Sequence, residues 1–240
     1  MSGFMPLERS VLYSPAWFVP FDEHAQRVRS AGVSAYLDRW DTEDGAWVSQ
    51  DTPAVRTPSA AITYPGLGRR GGPGPQRYRV RFAAAGYQPL YPADREPFSA
   101  AAVGVEFVAY PYDDSRPPAA PAEPRLVRLL PSVSFPYPPR LRTVYGVVLD
   151  GTTRVPVANS LVQAQGRTSR DAVQWHERTL TDARGAFRLA LRWEGEQVGG
   201  NPAEETFRLL ATERPGRTGS LVVRLPAELE RRHVIEIVEQ

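Results

Sequence analysis

Three histidines, His24, His176 and His233, have the widest chemical reach in this chain, as metal ligands or as proton carriers near neutral pH. Metal ligation asks for ligands at short, geometrically sensible spacings, and no two of these histidines lie close in sequence. Each therefore reads as a surface or packing residue. The chain has no Cys, which excludes disulfides, thiolate nucleophiles and Cys-ligated zinc. Gly-x-Ser-x-Gly is absent, and no Ser, His and Asp stand in a recognisable arrangement. Asp38, Asp41, Glu43 and Asp44 crowd one turn, where calcium would be the cation of interest. They lack the ordered spacing of a calcium loop and read as a solvated acidic turn. The glycine-rich run PGLGRRGGPGPQ at 65–76 lacks the Gly-Lys-Ser/Thr ending of a phosphate loop. No catalytic, metal or cofactor-binding residue is assigned, and no cofactor is expected.

Recognition is the other chemistry available. Arg77, Arg79 and Arg81 alternate with Tyr78, Val80 and Phe82, which puts three guanidiniums on one face of a strand. That face reads as a solvated outer surface or a protein-docking surface. No aromatic residue is expected to share it, which argues against base stacking. Tyr13, Trp17, Phe18 and Phe21 make an aromatic N-terminal arm, suited to folding back on its own domain or to adding a strand to a neighbour's sheet edge. All 29 basic residues are Arg, but the net charge is only +2 with acids interspersed, so nucleic acid is not an expected partner. The first twenty residues show neither a basic n-region nor a long apolar h-region, and no 18-residue apolar span exists, so a cytoplasmic start without membrane contact is expected.

The elements that must carry these residues are mostly strands. A short helix is predicted over Phe21 to Val28, capped by Asp22 and stopped near Gly32. Strands are predicted over Val33 to Asp38, Ser59 to Tyr64, Tyr78 to Phe82, Val103 to Tyr110 and Arg125 to Leu130. Asp44-Gly45, between Trp40 and Trp47, signals a hairpin. Pro117 to Pro124 is a proline-rich excursion, and 131–141 a semi-rigid proline and aromatic linker. Seven further strands follow: Val144 to Leu149, Leu161 to Gln165, Trp175 to Leu180, Phe187 to Trp193, Phe207 to Thr212, Ser220 to Leu225 and Val234 to Val238. In Thr181 to Phe187, Asp182 and Gly185 supply a hairpin turn and Phe187 opens a core strand. Pro226 to Arg232 reads as a second short helix, with Pro at its first turn. The domains expected are an arm and helix at 1–27, a β-sandwich at 28–130, the linker, and a second β-sandwich at 142–240.

The order Gly146 to Gly151, then Pro156 to Val162, then Thr181 to Phe187 resembles the carboxypeptidase regulatory-like domain, which shares the transthyretin-like (prealbumin-like) sandwich. Residues 33–87 resemble a divergent copy without the Thr-Asp-x-x-Gly-x-Phe turn. The fold class implied is all-β: two tandem transthyretin-like sandwiches with a short helix in each half. A hydrolase group on that fold carries several histidines and a Tyr-Arg-Gly-Ser type tail, whereas this chain ends Ile237-Val238-Glu239-Gln240. The ring-cleaving dioxygenases of a related sandwich bind iron through two Tyr and two His. Tyr145 and His176 stand here without the remaining pair. The junction LLPSVSFPY at 129–137, followed by Thr143 to Val147, resembles junctions in small proteins of contractile injection systems and phage tails. The resemblance implies a non-catalytic structural or adaptor protein whose partners are other proteins of an assembly. The alternatives are a metal-dependent or hydrolytic enzyme on the same fold, and a carbohydrate-binding module using Trp40 and Trp47. The oligomeric state is not legible in the sequence.

Overall fold

In the computed structural model every regular element among the described residues is a strand. The structure describes residues 13–69, 72, 74–91, 97–113, 115–116, 118, 122–139, 141–167, 174–191, 197–198, 201–202 and 204–239. Expectations for residues 1–12, parts of the 65–76 and 117–124 loops, and Arg192 and Trp193 lie outside these. In chain order the strands are β1 (Trp17–Asp22), β2 (Arg27–Val28), β3 (Val33–Asp41), β4 (Ala46–Gln50), β5 (Val55–Arg56), β6 (Ile62–Thr63), β7 (Gln76–Ala84), β8 (Tyr87–Pro89), β9 (Val105–Ala109) and β10 (Pro124–Pro131). They continue as β11 (Thr143–Asp150), β12 (Leu161–Arg167), β13 (Gln174–Leu180), β14 (Ala186–Ala190), β15 (Gln197–Val198), β16 (Asn201–Pro202), β17 (Glu205–Arg214), β18 (Arg217–Leu225) and β19 (Arg232–Glu239). All-β is therefore correct as a class.

Neither expected helix forms among the described residues. At the first, Asp22 does accept a hydrogen bond from the Ala25 amide, at 2.9 Å, as a cap would. The chain then stops at one turn because Gln26 takes φ +51 and β2 begins at Arg27. At the second, Pro226 to Glu230 make turns bonded from Leu229 N to Pro226 O, and β19 starts at Arg232. About five residues cannot repay helix nucleation. The period-two burial of both neighbours, β18 and β19, governs instead.

The chain forms two compact units, each assembled from separated segments. Unit 1 comprises Met1–Pro20, Val28–Phe82 and Gly104–Leu126, and unit 2 comprises Phe21–Arg27, Ala83–Val103 and Val127–Gln240.

In unit 1, β3 lies between β4 and β7, and β9 pairs with β7 from Gln76↔Ala109 to Val80↔Val105. The Asp44-Gly45 turn closes the β3–β4 hairpin as its sequence predicts, with Gly45 at φ +60 and Trp40 directly opposite Trp47. Of the aromatic arm, Tyr13, Trp17 and Phe18 belong to unit 1, while Phe21 falls in unit 2. Trp17 and Phe18 lie in β1 opposite Thr63 and Ile62 of β6, and Phe18 is fully buried. Its ring meets Phe82 at 5.4 Å and Phe107 at 5.8 Å. Full burial of such a ring is worth about 2 kcal/mol or more, so Phe18 anchors the core rather than an outer docking face.

In unit 2, all seven strands expected in 142–240 form, in the order β13-β12-β17-β18-β19-β11-β14. They make two layers, β13-β12-β17-β18 and β19-β11-β14. The layers join where Arg217 and Thr218 pair with Glu239 and Val238. Both layers turn their alternate residues into one core that includes Val144, Val162, Trp175, Phe187, Leu209 and Ile235. The Thr181–Phe187 stretch is the exception to expectation. Asp182 and Gly185 make the turn, with Asp182 Oδ1 accepting from the Arg184 and Ala186 amides at 2.8 and 2.9 Å and Gly185 at φ +69. It does not close a hairpin, because β13 pairs with β12 while β14 pairs with β11. The turn carries the chain from one end of the strand order to the other.

Candidate interaction surface

The outer face of unit 1 is built from three neighbouring strands with matching parity. β3 contributes Tyr36, Asp38 and Trp40, β7 contributes Arg77, Arg79 and Arg81, and β4 contributes Trp47 opposite Trp40. Alternation puts Val80 and Phe82 inward and the arginines outward, as their spacing predicts. The expectation that no aromatic shares the arginine face is wrong. Arg77 stands 5.3 Å from the Trp40 ring centre and 5.8 Å from that of Trp47, Arg79 stands 4.7 Å from Trp47, and Arg81 stands 5.8 Å from Tyr36. The two indoles meet edge to face at 5.2 Å. Guanidiniums and rings thus alternate across the strands as a cation–π ladder. The arginine spacing in β7 was readable. The missing signal was that β3 pairs with β7, since Tyr36 and Trp40 share the parity of Asp38.

One carboxylate fixes the ladder. Asp38 Oδ2 accepts from Arg79 Nη2 and Arg81 Nε, both at 2.8 Å, and Oδ1 accepts from Arg81 Nη2 at 2.9 Å. Burial works to raise the Asp38 carboxyl, but the hydrogen bonds and charges of Arg81 and Arg79 outweigh it and hold it below the ordinary carboxylate range. Asp38 is only 2% exposed, so it is a structural anion and not a calcium ligand of an acidic turn. Asp41 serves the turn itself, accepting from the Glu43 amide at 2.9 Å. Arg77 pairs with Glu106 at 2.9 Å. Beneath this face Tyr64 is buried, and burial with the charge of Asp38 pushes its phenol up to about 12.

What remains outward is amphipathic: Tyr36 is half exposed, and Arg77 and Arg81 keep much of their side chains in solvent. Tyr13, at the arm's start, packs edge to face on Tyr112 at 5.7 Å. Of the residues singled out from sequence, Arg77, Arg79 and Arg81 come together on this face. Tyr13, Trp17 and Phe18 pack elsewhere in the unit, and Asp182, Gly185 and Phe187 do structural work in unit 2.

The histidines stay apart. In unit 2, His24 lies between Phe135 and Tyr137, with ring distances of 5.4 and 5.3 Å, and its Nδ1 is 3.6 Å from Glu177. His176 faces Gln163 at 3.2 Å, and burial, then the neighbouring Arg178, lowers its imidazole below the usual range. His233 is buried with Nε2 3.1 Å from Glu228 O. No group of three or more His, Asp or Glu able to hold a metal occurs among the described residues.

A second buried charge cluster in unit 2 had no sequence signal. Glu23 accepts from Arg178 Nε at 2.7 Å and from Arg128 Nη1 at 3.0 Å, partners 155 and 105 residues away. Next to it, Asp22 Oδ2 accepts from the Tyr87 hydroxyl at 2.7 Å. These bonds hold the 21–27 turn in place.

No protein-family model and no curated protein sequence matches the chain. Several solved structures resemble it. A streptococcal ancillary pilin is 13% identical over 95% of this chain and 62% of its own, with a TM-score of 0.27. BcpA, the major pilin subunit of Bacillus cereus, is 11% identical over 94% and 69%, at 0.28. A mutant of the shaft pilin spaA from Lactobacillus rhamnosus GG is 9% identical over 96% and 98%, at 0.27. The chain thus spans less than two thirds of the streptococcal pilin, and superpositions at these scores carry no argument about it.

Proposed function

We propose that this chain is a non-catalytic structural or adaptor protein that works by docking other proteins of an assembly. The observation that carries this reading is the ladder of Tyr36, Trp40, Trp47, Arg77, Arg79 and Arg81 on a rigid outer sheet face. Tyr, Trp and Arg are the residues that dominate binding energy at protein interfaces, and here their rotamers are ordered before any partner arrives. Asp38 is buried and held ionised by two guanidiniums, with its carboxyl below the ordinary range, which makes it a weak base. The indoles are flanked by each other and by arginines, which disfavours sugar stacking on them. A contractile injection or phage-tail particle is the finer setting we favour, on the strength of the 129–137 junction sequence alone.

The test places a photo-crosslinking amino acid at Tyr36 in native cells. A discrete adduct with one protein, abolished by Arg77→Glu without loss of folding, is the expected result. Crosslinking no greater than from a probe at Ser220, in the other unit, would overturn the reading. Sheath or baseplate genes beside this one would support the particle setting.

A further inference from the structure

Tyr145 in unit 2 sits between two arginines. The β11–β14 register places it opposite Arg188, and the β11–β19 register places it opposite Arg232. The three side chains therefore form one row across adjacent strands on the outer face of this layer. Neighbouring strands lie about 4.8 Å apart, so the guanidiniums stand on rungs about 10 Å apart. Neither arginine forms an ion pair with a described carboxylate. Arg188, half-buried, reaches only neutral oxygens, Thr143 Oγ1 at 3.3 Å and Phe135 O at 3.4 Å, and the Tyr137 ring at 5.1 Å. Elsewhere the chain answers half-buried arginines with acids, as Asp38 does for Arg79 and Glu23 for Arg178. Like charges on one sheet face, with donors left over, are an arrangement that an incoming anion relieves.

Tyr145 and Arg188 line an open groove of about 880 Å³, whose apolar wall is Pro139, Leu141 and Leu229, and Arg232 stands on the next rung beside Tyr145. Arg142 and Glu230 also line it, and the Tyr145 hydroxyl donates to Glu230 O at 2.6 Å, which fixes the ring. The two guanidiniums of the row, Arg188 and Arg232, suit one anionic group, whereas a polyanion would need many more contacts.

We propose that this groove binds an organic carboxylate, with the anion held between Arg188 and Arg232 above Tyr145 and an apolar body against Pro139, Leu141 and Leu229. Charge-assisted, bidentate hydrogen bonds from guanidinium to carboxylate would supply the specificity. The site stands on unit 2 alone and is independent of the docking role of the unit 1 face.

Calorimetric titration of the full chain with 3-phenylpropionate and with its uncharged amide tests the class. The acid is expected to bind at least about tenfold more tightly than the amide. Arg232→Met, at an exposed position, and Arg188→Met should each weaken the acid about tenfold, while Arg208→Met leaves it unchanged. A parallel arm uses the peptide acetyl-Leu-Pro-Glu-Leu-amide and its Gln counterpart. Preference for the Glu peptide over the free acid identifies an acidic side chain of a partner as the source, and the reverse preference identifies a small free acid. Equal binding of acid and amide, no saturable binding of any probe at millimolar concentration, or indifference to Arg232→Met would each overturn the site.

Discussion

Two buried carboxylates, Asp38 and Glu23, each hold a pair of arginines, and they predict different outcomes on substitution. Asp38 has its carboxyl held low in the folded state. Its contribution to stability is therefore complete above the unfolded carboxyl value of about 3.9 and is lost as pH falls through the lower folded value. Urea midpoints at pH 7, 4 and 2.5 should show Asp38→Asn less stable than the parent at pH 7, with the gap closing at pH 2.5. Parallel curves would contradict the role given to Asp38. Glu23 acts on the backbone as well, since its amide donates to Leu129 O at 3.1 Å. Glu23→Gln leaves Arg128 and Arg178 without their carboxylate and should cost about 3 kcal/mol in denaturant unfolding. A loss below 1 kcal/mol would show that solvent already compensates those arginines. The two sites also differ in legibility. The arginines of β7 announced themselves by spacing, while Glu23 sits in a stretch that reads locally as the start of a helix.

At the scale of elements, period-two alternation was enough to locate the seven strands of 142–240, because each buries one face in a shared core. Pairing was not legible, since alternation says which face is buried and not which neighbour is bonded. Hence the Asp182–Gly185 turn read as a hairpin, although its flanking strands belong to different ladders. The same limit hid the aromatics beside Arg77 and Arg79. The turn glycines can be ranked by their surroundings. Gly216, at φ +76, has open space where a Cβ would go, whereas at Gly185 a Cβ would stand 2.6 Å from Val148 O. Gly216→Ala should cost about 1 kcal/mol for the left-handed backbone alone. Gly185→Ala should cost more, since Val148 O accepts from the Val157 amide and cannot easily retreat. Equal losses in chemical denaturation would contradict this ranking.

On the scale of the whole molecule, unit 2 is completed by segments far from its sheets in sequence. Leu161 and Leu180 of the β12–β13 ladder are buried with Leu130, Leu90 and Phe98. Thr179 Oγ1 donates to Pro131 O at 2.7 Å, and Ala100 N to Glu213 O at 2.8 Å. A fragment of residues 142–240 keeps every strand of the two layers but loses this cover. It should bind hydrophobic dyes and exchange the amides of β12 and β13 faster than the full chain does. Identical exchange in fragment and full chain would show the cover to be energetically idle. Nothing in 142–240 alone reveals the dependence, because Leu161 and Leu180 look like ordinary strand residues until Leu130 is placed over them.

The parallel β11–β19 ladder has a consequence for the order of events on the ribosome. It joins residues 145–150 to residues 232–237, and among the described strands β11's other neighbour is β14. While residues 143–231 are being made, β11 therefore waits with one edge unpaired, and Val144 and Val148 lack the Ile235 and Ile237 side that closes their core. Of the seven strands of this unit's two layers, the one latest in chain order, β19, is the one that inserts between β18 and β11, so this unit cannot mature vectorially, strand by strand. Its nascent form must be kept from pairing with other chains until the end of β19 is free.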